Sequence, residues 1–239
     1  MSFAAGLRQA LELRQRDVDA ELKHGDSLEE VLDRHLLVVE NMSDREILTS
    51  VLLLSSDGKH LTHGAAPSLP NEYRDAINGS EIGPEAGSCG TAAYFGKPVY
   101  VTDISTDRLW EGYRDYALPH GLRSCWSTPI RDANGEVMGT FAVYNRSLSG
   151  PTRDELNAIA MITDNVAQAI TWARNSNAGM RELDILPQQV AALGAIATAI
   201  ANQADCLNSE GREAVDAVVN GVRRLAEVVQ RQMAGADPA

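Results

Sequence analysis

The sequence has 239 residues, 44% of them hydrophobic and 23% charged, enough for one ordinary core plus an extension or second small domain, since domains run to about 100–200 residues. Lys and Arg number 21 against 33 Asp and Glu, a formal net charge of −12 with no basic block, which repels phosphate backbones and anionic lipid and argues against nucleic-acid and membrane partners. No run reaches the roughly 18 apolar residues of a membrane helix, the N-terminus is charged rather than signal-like, and Cys89, Cys125 and Cys206 follow neither disulfide nor zinc spacing, so a cytoplasmic protein with reduced thiols is expected.

Residues 2–24 place Phe3, Leu7, Leu11 or Ala10, Leu13 and Val18 near helical spacing with charges between them, which predicts an amphipathic helix broken at His24-Gly25. Ser27 followed three residues later by Glu30 is the capping-box arrangement and starts a second helix, running to about Met42. The run TSVLLLSSDGKHLTHGAA reads as a strand, a turn at Asp57-Gly58 and a strand ending at Gly64. LRSCWSTPIRDANGEVMGTFAVYN repeats that pattern about Asn134-Gly135. Between the two hairpins lie a short helix in PSLPNEYRDAI, a Gly-rich stretch, the strand KPVYVTDI and an aromatic segment up to His120. Strands and helices alternate without βαβ regularity, so an α+β domain with an antiparallel sheet is expected.

After Pro151, read as a helix-starting proline, Leu156, Ile159, Ile162 or Ala160, Val166, Ile170 and Ala173 share one face of a helix to about residue 175 that closes the domain. Two more striped helices follow, joined by DCLNSEG. Residues 180–203 carry Leu186, Val190, Leu193, Ile196 and Ile200; residues 210–233 carry Val215, Val219, Val222, Leu225 and Val229. Such an all-α hairpin cannot bury its stripe alone and wants a partner. The expected organisation is an N-terminal helix over 1–27, a domain over 28–175 and a helical hairpin over 180–233.

Several landmarks fall in order within that domain: GSCGTA at Gly87 to Ala92, VTDI at Val101 to Ile104, the segment around Trp110, PHGLRSCWSTPI at Pro119 to Ile130, and GTFAVY at Gly139 to Tyr144. Together they resemble the core of GAF domains from bacterial sensor kinases and related signalling proteins, over about residues 28–175. The resemblance implies a PAS-like antiparallel sheet with pocket-forming helices on one side and terminal helices on the other that make a homodimer. It implies a small-molecule sensor. Gly87 and Gly90 permit a tight turn whose amides can face an anionic or carbonyl-bearing ligand.

The candidate ligand-binding residues are Ser88 and Cys89 at that turn, Tyr94, Trp110, Tyr113, Tyr116 and Trp126 as aromatic walls, and His120 at the rim. The alternative for each aromatic is core filling. Cys89 is expected to line the pocket as a structural thiol, and Cys125 to pack in the core. The ligand is unnamed, and no cofactor is assigned: neither the Cys-His pair of bilin attachment nor the NKxxF signature of cyclic-nucleotide GAF domains occurs.

Free methionine sulfoxide reductases, one catalytic group on the GAF fold, resemble the chain at the CGTA turn around Cys89. Their chemistry needs cysteines for attack and resolution and carboxylates that hold substrate. Here the segment between Asp103 and Leu122 has no cysteine, Cys125 follows Ser124 where a carboxylate is expected, and the strand expected to carry two acids reads Phe141-Ala142-Val143-Tyr144. The expectation is a sensor rather than an enzyme, with thiol redox chemistry at Cys89 or haem at His120 as the alternative.

The C-terminal run MRELDILPQQVAALGAIATAIANQ, followed by EAVDAVVNGVRRLAEVVQ, resembles a degenerate dimerisation hairpin of HWE-type histidine kinases. Ile185 follows Arg181-Glu182-Leu183-Asp184 where the phosphorylatable histidine belongs, and no histidine occurs after His120, so phosphotransfer through it is excluded. An unrelated coiled-coil hairpin fits the same spacing. Either way, two copies packed as a four-helix bundle would extend the dimer and let a partner signalling protein read the ligand state.

Overall fold

The computed structural model describes residues 3–202 and 209–234, and the chain divides into two compact units between Ala173 and Arg174. The first begins with helices α1 (Phe3–Lys23) and α2 (Leu28–Met42). α1 buries Leu7, Leu11, Val18 and Leu22, whereas Leu13, read from its spacing as part of the stripe, is exposed. The capping box forms as expected: the Ser27 hydroxyl accepts from the Glu30 amide at 3.2 Å and the Glu30 carboxylate accepts from the Ser27 amide at 2.9 Å. Arg14 donates to Glu21 at 2.5 and 2.6 Å, and Arg34 reaches the same carboxylate at 3.1 Å. These guanidinium contacts, Arg14's first, hold the Glu21 carboxyl below its ordinary range.

Six strands follow: β1 (Ile47–Leu54), β2 (His60–Ala65), β3 (Ser80–Glu81), β4 (Val99–Val101), β5 (Ser124–Arg131) and β6 (Val137–Asn145). They form one sheet in the order β3-β2-β1-β6-β5-β4, antiparallel at every pairing. The hairpins β1–β2 and β5–β6 turn where the Asp57-Gly58 and Asn134-Gly135 pairs place them. The central pairing of β1 with β6, Ile47 opposite Asn145 and Val51 opposite Phe141, joins the two hairpins and is not written in any local pattern.

Because side chains alternate across a strand, the sheet separates two cores. Ile47, Val51, Trp126, Ile130, Phe141 and Val143 pack with α1, α2 and the first part of the closing helix α6 (Arg153–Asn202). Leu48, Leu52, Cys125, Ala142 and Tyr144 pack on the opposite face with α3 (Asn71–Ile77), α4 (Gly87–Phe95) and the segment from Trp110 to Leu122, which includes the short helix α5 (Arg114–Ala117). The sheet with flanking helices is the expected α+β architecture. α6 is capped by Thr152, whose hydroxyl accepts from the Glu155 amide at 3.3 Å while Glu155 accepts from the Thr152 amide at 2.7 Å; Pro151 lies just outside the helix rather than starting it.

α6 does not stop near residue 175 but continues unbroken to Asn202. Asn, Ser and Gly in NSNAG each weaken a helix by only about 1 kcal/mol or less, and strong helix formers flank them. In the second unit, Leu193, Ile196 and Ile200 are exposed. On α7 (Ser209–Ala234), Val215, Val219 and Val222 are half-buried and Val218 is exposed. The side chains of Phe3, Leu186, Val190, Leu225 and Val229, and Cys206 with most of the DCLNSEG connection, lie outside the described residues. Among the described residues, no helix is long and apolar enough to cross a membrane.

Candidate functional site

The site is built where α4 meets the sheet. Gly87 opens α4 in the left-handed region at φ 62°, a conformation that costs glycine nothing, and lets the chain turn beneath the rings of Trp110 and Tyr113. Ser88 is fully buried. Its hydroxyl donates to the Cys125 carbonyl at 3.1 Å and accepts from the Trp110 indole nitrogen at 3.0 Å. One side chain thus fastens α4, strand β5 and the 3-10 turn Arg108–Trp110 together.

Under this clamp lies a cavity of about 30 Å³, lined by Leu52, Leu61, Tyr73, Ile77, Ser80, Ala86, Gly87, Ser88, Cys89, Gly90, Trp110, Tyr113 and Tyr144. A water needs roughly 10–15 Å³ measured in this way, so the space holds about two waters or one very small molecule. No charged side chain lines it. An ionised ligand would find no counter-charge on these walls, whereas a neutral, carbonyl-bearing one needs none.

Cys89 and Cys125 are both free thiols and both buried. The Cys89 sulfur stands 3.9 Å from the Tyr144 hydroxyl. Hydrogen bonding from the Cys125 thiol, helped by Ser127, Thr140 and Tyr144, draws the Cys89 pKa below the ordinary thiol value against the opposing effect of burial. Burial pushes Cys125 well up. Tyr144 meets Tyr73 edge to face, ring centres 5.7 Å apart, and burial raises both phenols well above their usual value.

The structure brings together Ser88, Cys89, Trp110 and Tyr113 of the residues expected from sequence. It separates the others. Trp126 is buried on the opposite face of the sheet, donating to the Ser149 carbonyl at 2.8 Å with the Arg45 guanidinium 5.4 Å above its ring, because it is one residue out of phase with Cys125 on β5. Tyr94 and Tyr116 are about half exposed, at 53% and 51%, and Tyr94 packs edge-on against Phe95 rather than into the cavity. His120 stands outside the lining, its ring centre 6.3 Å from that of Tyr73; a porphyrin at its imidazole would require the wall to open far beyond the present volume. Tyr73, Tyr144, Leu52 and Leu61 are wall residues absent from the sequence expectation. Their signals were the inward face of a seven-residue helix and the strand alternation of β6, β1 and β2. Among the described residues, no cluster of three or more His, Cys, Asp or Glu stands ready for a metal ion.

A family model described as the GAF domain matches residues 25–171. A methyl sulfide methyltransferase-associated sensor of Methanosarcina acetivorans is 39% identical over 153 residues, which is 63% of this chain but only 15% of that protein's length. Among solved structures, the free methionine-R-sulfoxide reductase of Neisseria meningitidis, in complex with its substrate, superposes with a TM-score of 0.58 at 16% identity, over 74% of this chain and 95% of that one. The GAF domain of an Acinetobacter phosphoenolpyruvate-protein phosphotransferase does so with a TM-score of 0.52 at 15% identity, over 70% and 97%. At these identities the structural matches speak to fold alone.

Proposed function

The chain belongs to the GAF domain family, and we propose that it is a sensory module that admits a small uncharged molecule to the cavity beneath α4 and reports its presence through helices, without phosphotransfer. The observation that carries this reading is the uncharged, largely apolar space beside the Ser88 link between Trp110 and the Cys125 carbonyl. A similarity to a protein named as a sensor supports the same class of role.

A ligand that wedges between Trp110 and the first turn of α4 pulls on β5 at Cys125 through the Ser88 hydrogen bonds. The next residue, Trp126, packs on the far face beside Ile159 and Ile162 of α6. Packed interiors transmit such displacements rather than absorbing them, so occupancy of the cavity is felt at α6 within the first unit. In this reading the chain is a homodimer whose C-terminal helices form a four-helix bundle, read by a partner signalling protein. Ile185 follows Asp184 and no histidine occurs after His120, so phosphoryl transfer to these helices has no imidazole acceptor.

Native mass spectrometry of the chain purified without additives, followed by tryptophan fluorescence titration with a panel of small uncharged molecules, tests the sensing reading. A retained small molecule, or a saturable signal abolished by Trp110→Ala while Trp126→Phe keeps it, is the expected result. A chain that carries nothing and responds to no member of the panel, with unchanged fluorescence, would remove the ligand from the proposal.

A further inference from the structure

Two buried thiols from different elements pack in one core. Cys89 lines it from the first turn of α4; Cys125 comes from β5, where it pairs with Tyr144 of β6 and Val101 of β4. The Ser88 bond to the Cys125 carbonyl fixes the backbone beside one cysteine to the backbone carrying the other. The buried hydroxyls of Ser127 and Thr140 have no hydrogen-bond partner in the fold, and both favour the ionised form of the Cys89 sulfur. A structural core thiol needs no such surroundings, and unpaired buried hydroxyls are costly. Ionising the Cys89 sulfur gives both of them an acceptor.

We propose that Cys89 and Cys125 form a redox-responsive thiol pair, oxidised to a disulfide by a small neutral hydroperoxide that enters the cavity. The Cys89 thiolate attacks the terminal peroxide oxygen. The O–O bond breaks, the sulfur becomes a sulfenic acid, and the departing alkoxide takes the thiol proton and leaves as an alcohol, or as water when the oxidant is hydrogen peroxide. Cys125 then attacks the Cys89 sulfur, the S–S bond forms, and the sulfenic oxygen leaves as water with the Cys125 proton. In sum, two thiols are oxidised and one peroxide is reduced. Cys89 is the attacking thiol because it lines the cavity and has the hydroxyl donors around it; Cys125 is the resolving one, since it is fully buried and does not line the cavity.

The cavity sets the reagent. Hydrogen peroxide is about the size of two waters and uncharged, so it fits a space of about 30 Å³ without charged walls; a charged tripeptide disulfide such as oxidised glutathione does not. This inference is independent of reversible ligand binding, because the disulfide can form in a chain that retains no small molecule, and a bound ligand implies no thiol chemistry.

The test uses the full chain carrying Cys206→Ser, treated with hydrogen peroxide, then unfolded, alkylated and digested without reductant. The expected result is a Cys89–Cys125 linked peptide, lighter by two hydrogen atoms than the separate peptides and released by dithiothreitol, forming at least about tenfold faster than with oxidised glutathione at equal concentration. Both cysteines fully alkylated after peroxide treatment would overturn the proposal. So would Cys89 carried to sulfinic acid while Cys125 stays reduced. In a second variant, Cys89→Ser, Cys125 should stay reduced at the same dose; its oxidation at the original rate would overturn the assigned order of attack.

Discussion

His35 lies on α2 beside Arg14, 2% exposed, with no partner for its Nε2 atom. Burial, reinforced by the Arg14 charge, lowers its pKa to about 4, whereas an unfolded histidine titrates near 6.5. Between those values the unfolded chain binds a proton that the folded chain refuses, so stability falls as pH falls through that window. The full loss amounts to roughly 3 kcal/mol. Denaturant titrations between about pH 7.5 and 5 should show this slope in the native chain and its loss in His35→Leu. The leucine variant should also be more stable at neutral pH, by about 1 kcal/mol, because an unpaired buried nitrogen is removed. Equal slopes in the two proteins would show that His35 binds its proton equally well in the folded and unfolded chains.

Residue identities at the cavity were readable from sequence to the extent that they belong to one continuous stretch. Ser88, Cys89, Trp110 and Tyr113 follow from the GSCGTA turn and the aromatic segment after it. Trp126 shows what composition alone misses: aromatic and close in sequence to Cys125, it is carried to the other core by the two-residue period of a strand. The same parity, applied to β6, points Tyr144 inward together with Ala142. Tyr73 is harder, because a seven-residue helix offers too few turns for its inward face to be distinguished by spacing.

At the scale of elements, α4 depends on closeness more than on capping. Its N-cap residue, Ala86, supplies no side-chain hydrogen bond. A Cβ placed on Gly90 would stand 2.6 Å from the Cβ of Ala86 and 3.4 Å from the Glu81 carbonyl oxygen, and neither neighbour is the flexible end of a side chain. Gly90→Ala should therefore destabilise the first unit by about 1–3 kcal/mol, as overpacking does, although alanine is the better helix former by about 1 kcal/mol. Thermal or urea unfolding checks the sign, and a stabilised variant would mean that α4 can slide away from Ala86 without loss. Hairpin turns and the capping box at Ser27 were legible because each is a local rule. The pairing of β1 with β6 and the run of α6 past residue 175 were not, because long-range register and weak helix-breaking residues are decided by packing and by neighbouring helix formers.

At the scale of the molecule, the second unit presents Leu193, Ile196 and Ile200 to solvent at 46%, 58% and 45% exposure, one helical turn apart. Burying an aliphatic side chain of this size contributes about 1.5–3 kcal/mol, so covering these three in each of two copies supplies several kcal/mol towards association even after its entropy is met. Unit 1 has its own two cores and ends at Ala173. A chain truncated after Ala173 should accordingly keep its fold, with the circular dichroism of an intact α+β domain, while the dissociation constant of the proposed dimer rises by at least about tenfold in sedimentation. Ile196→Asp in the full chain should weaken the dimer in the same direction, since a carboxylate on the stripe loses its hydration when the stripe is covered. If the truncated and substituted chains associate as tightly as the native one, the dimer is held by the first unit alone, and the C-terminal helices are free to engage a different protein.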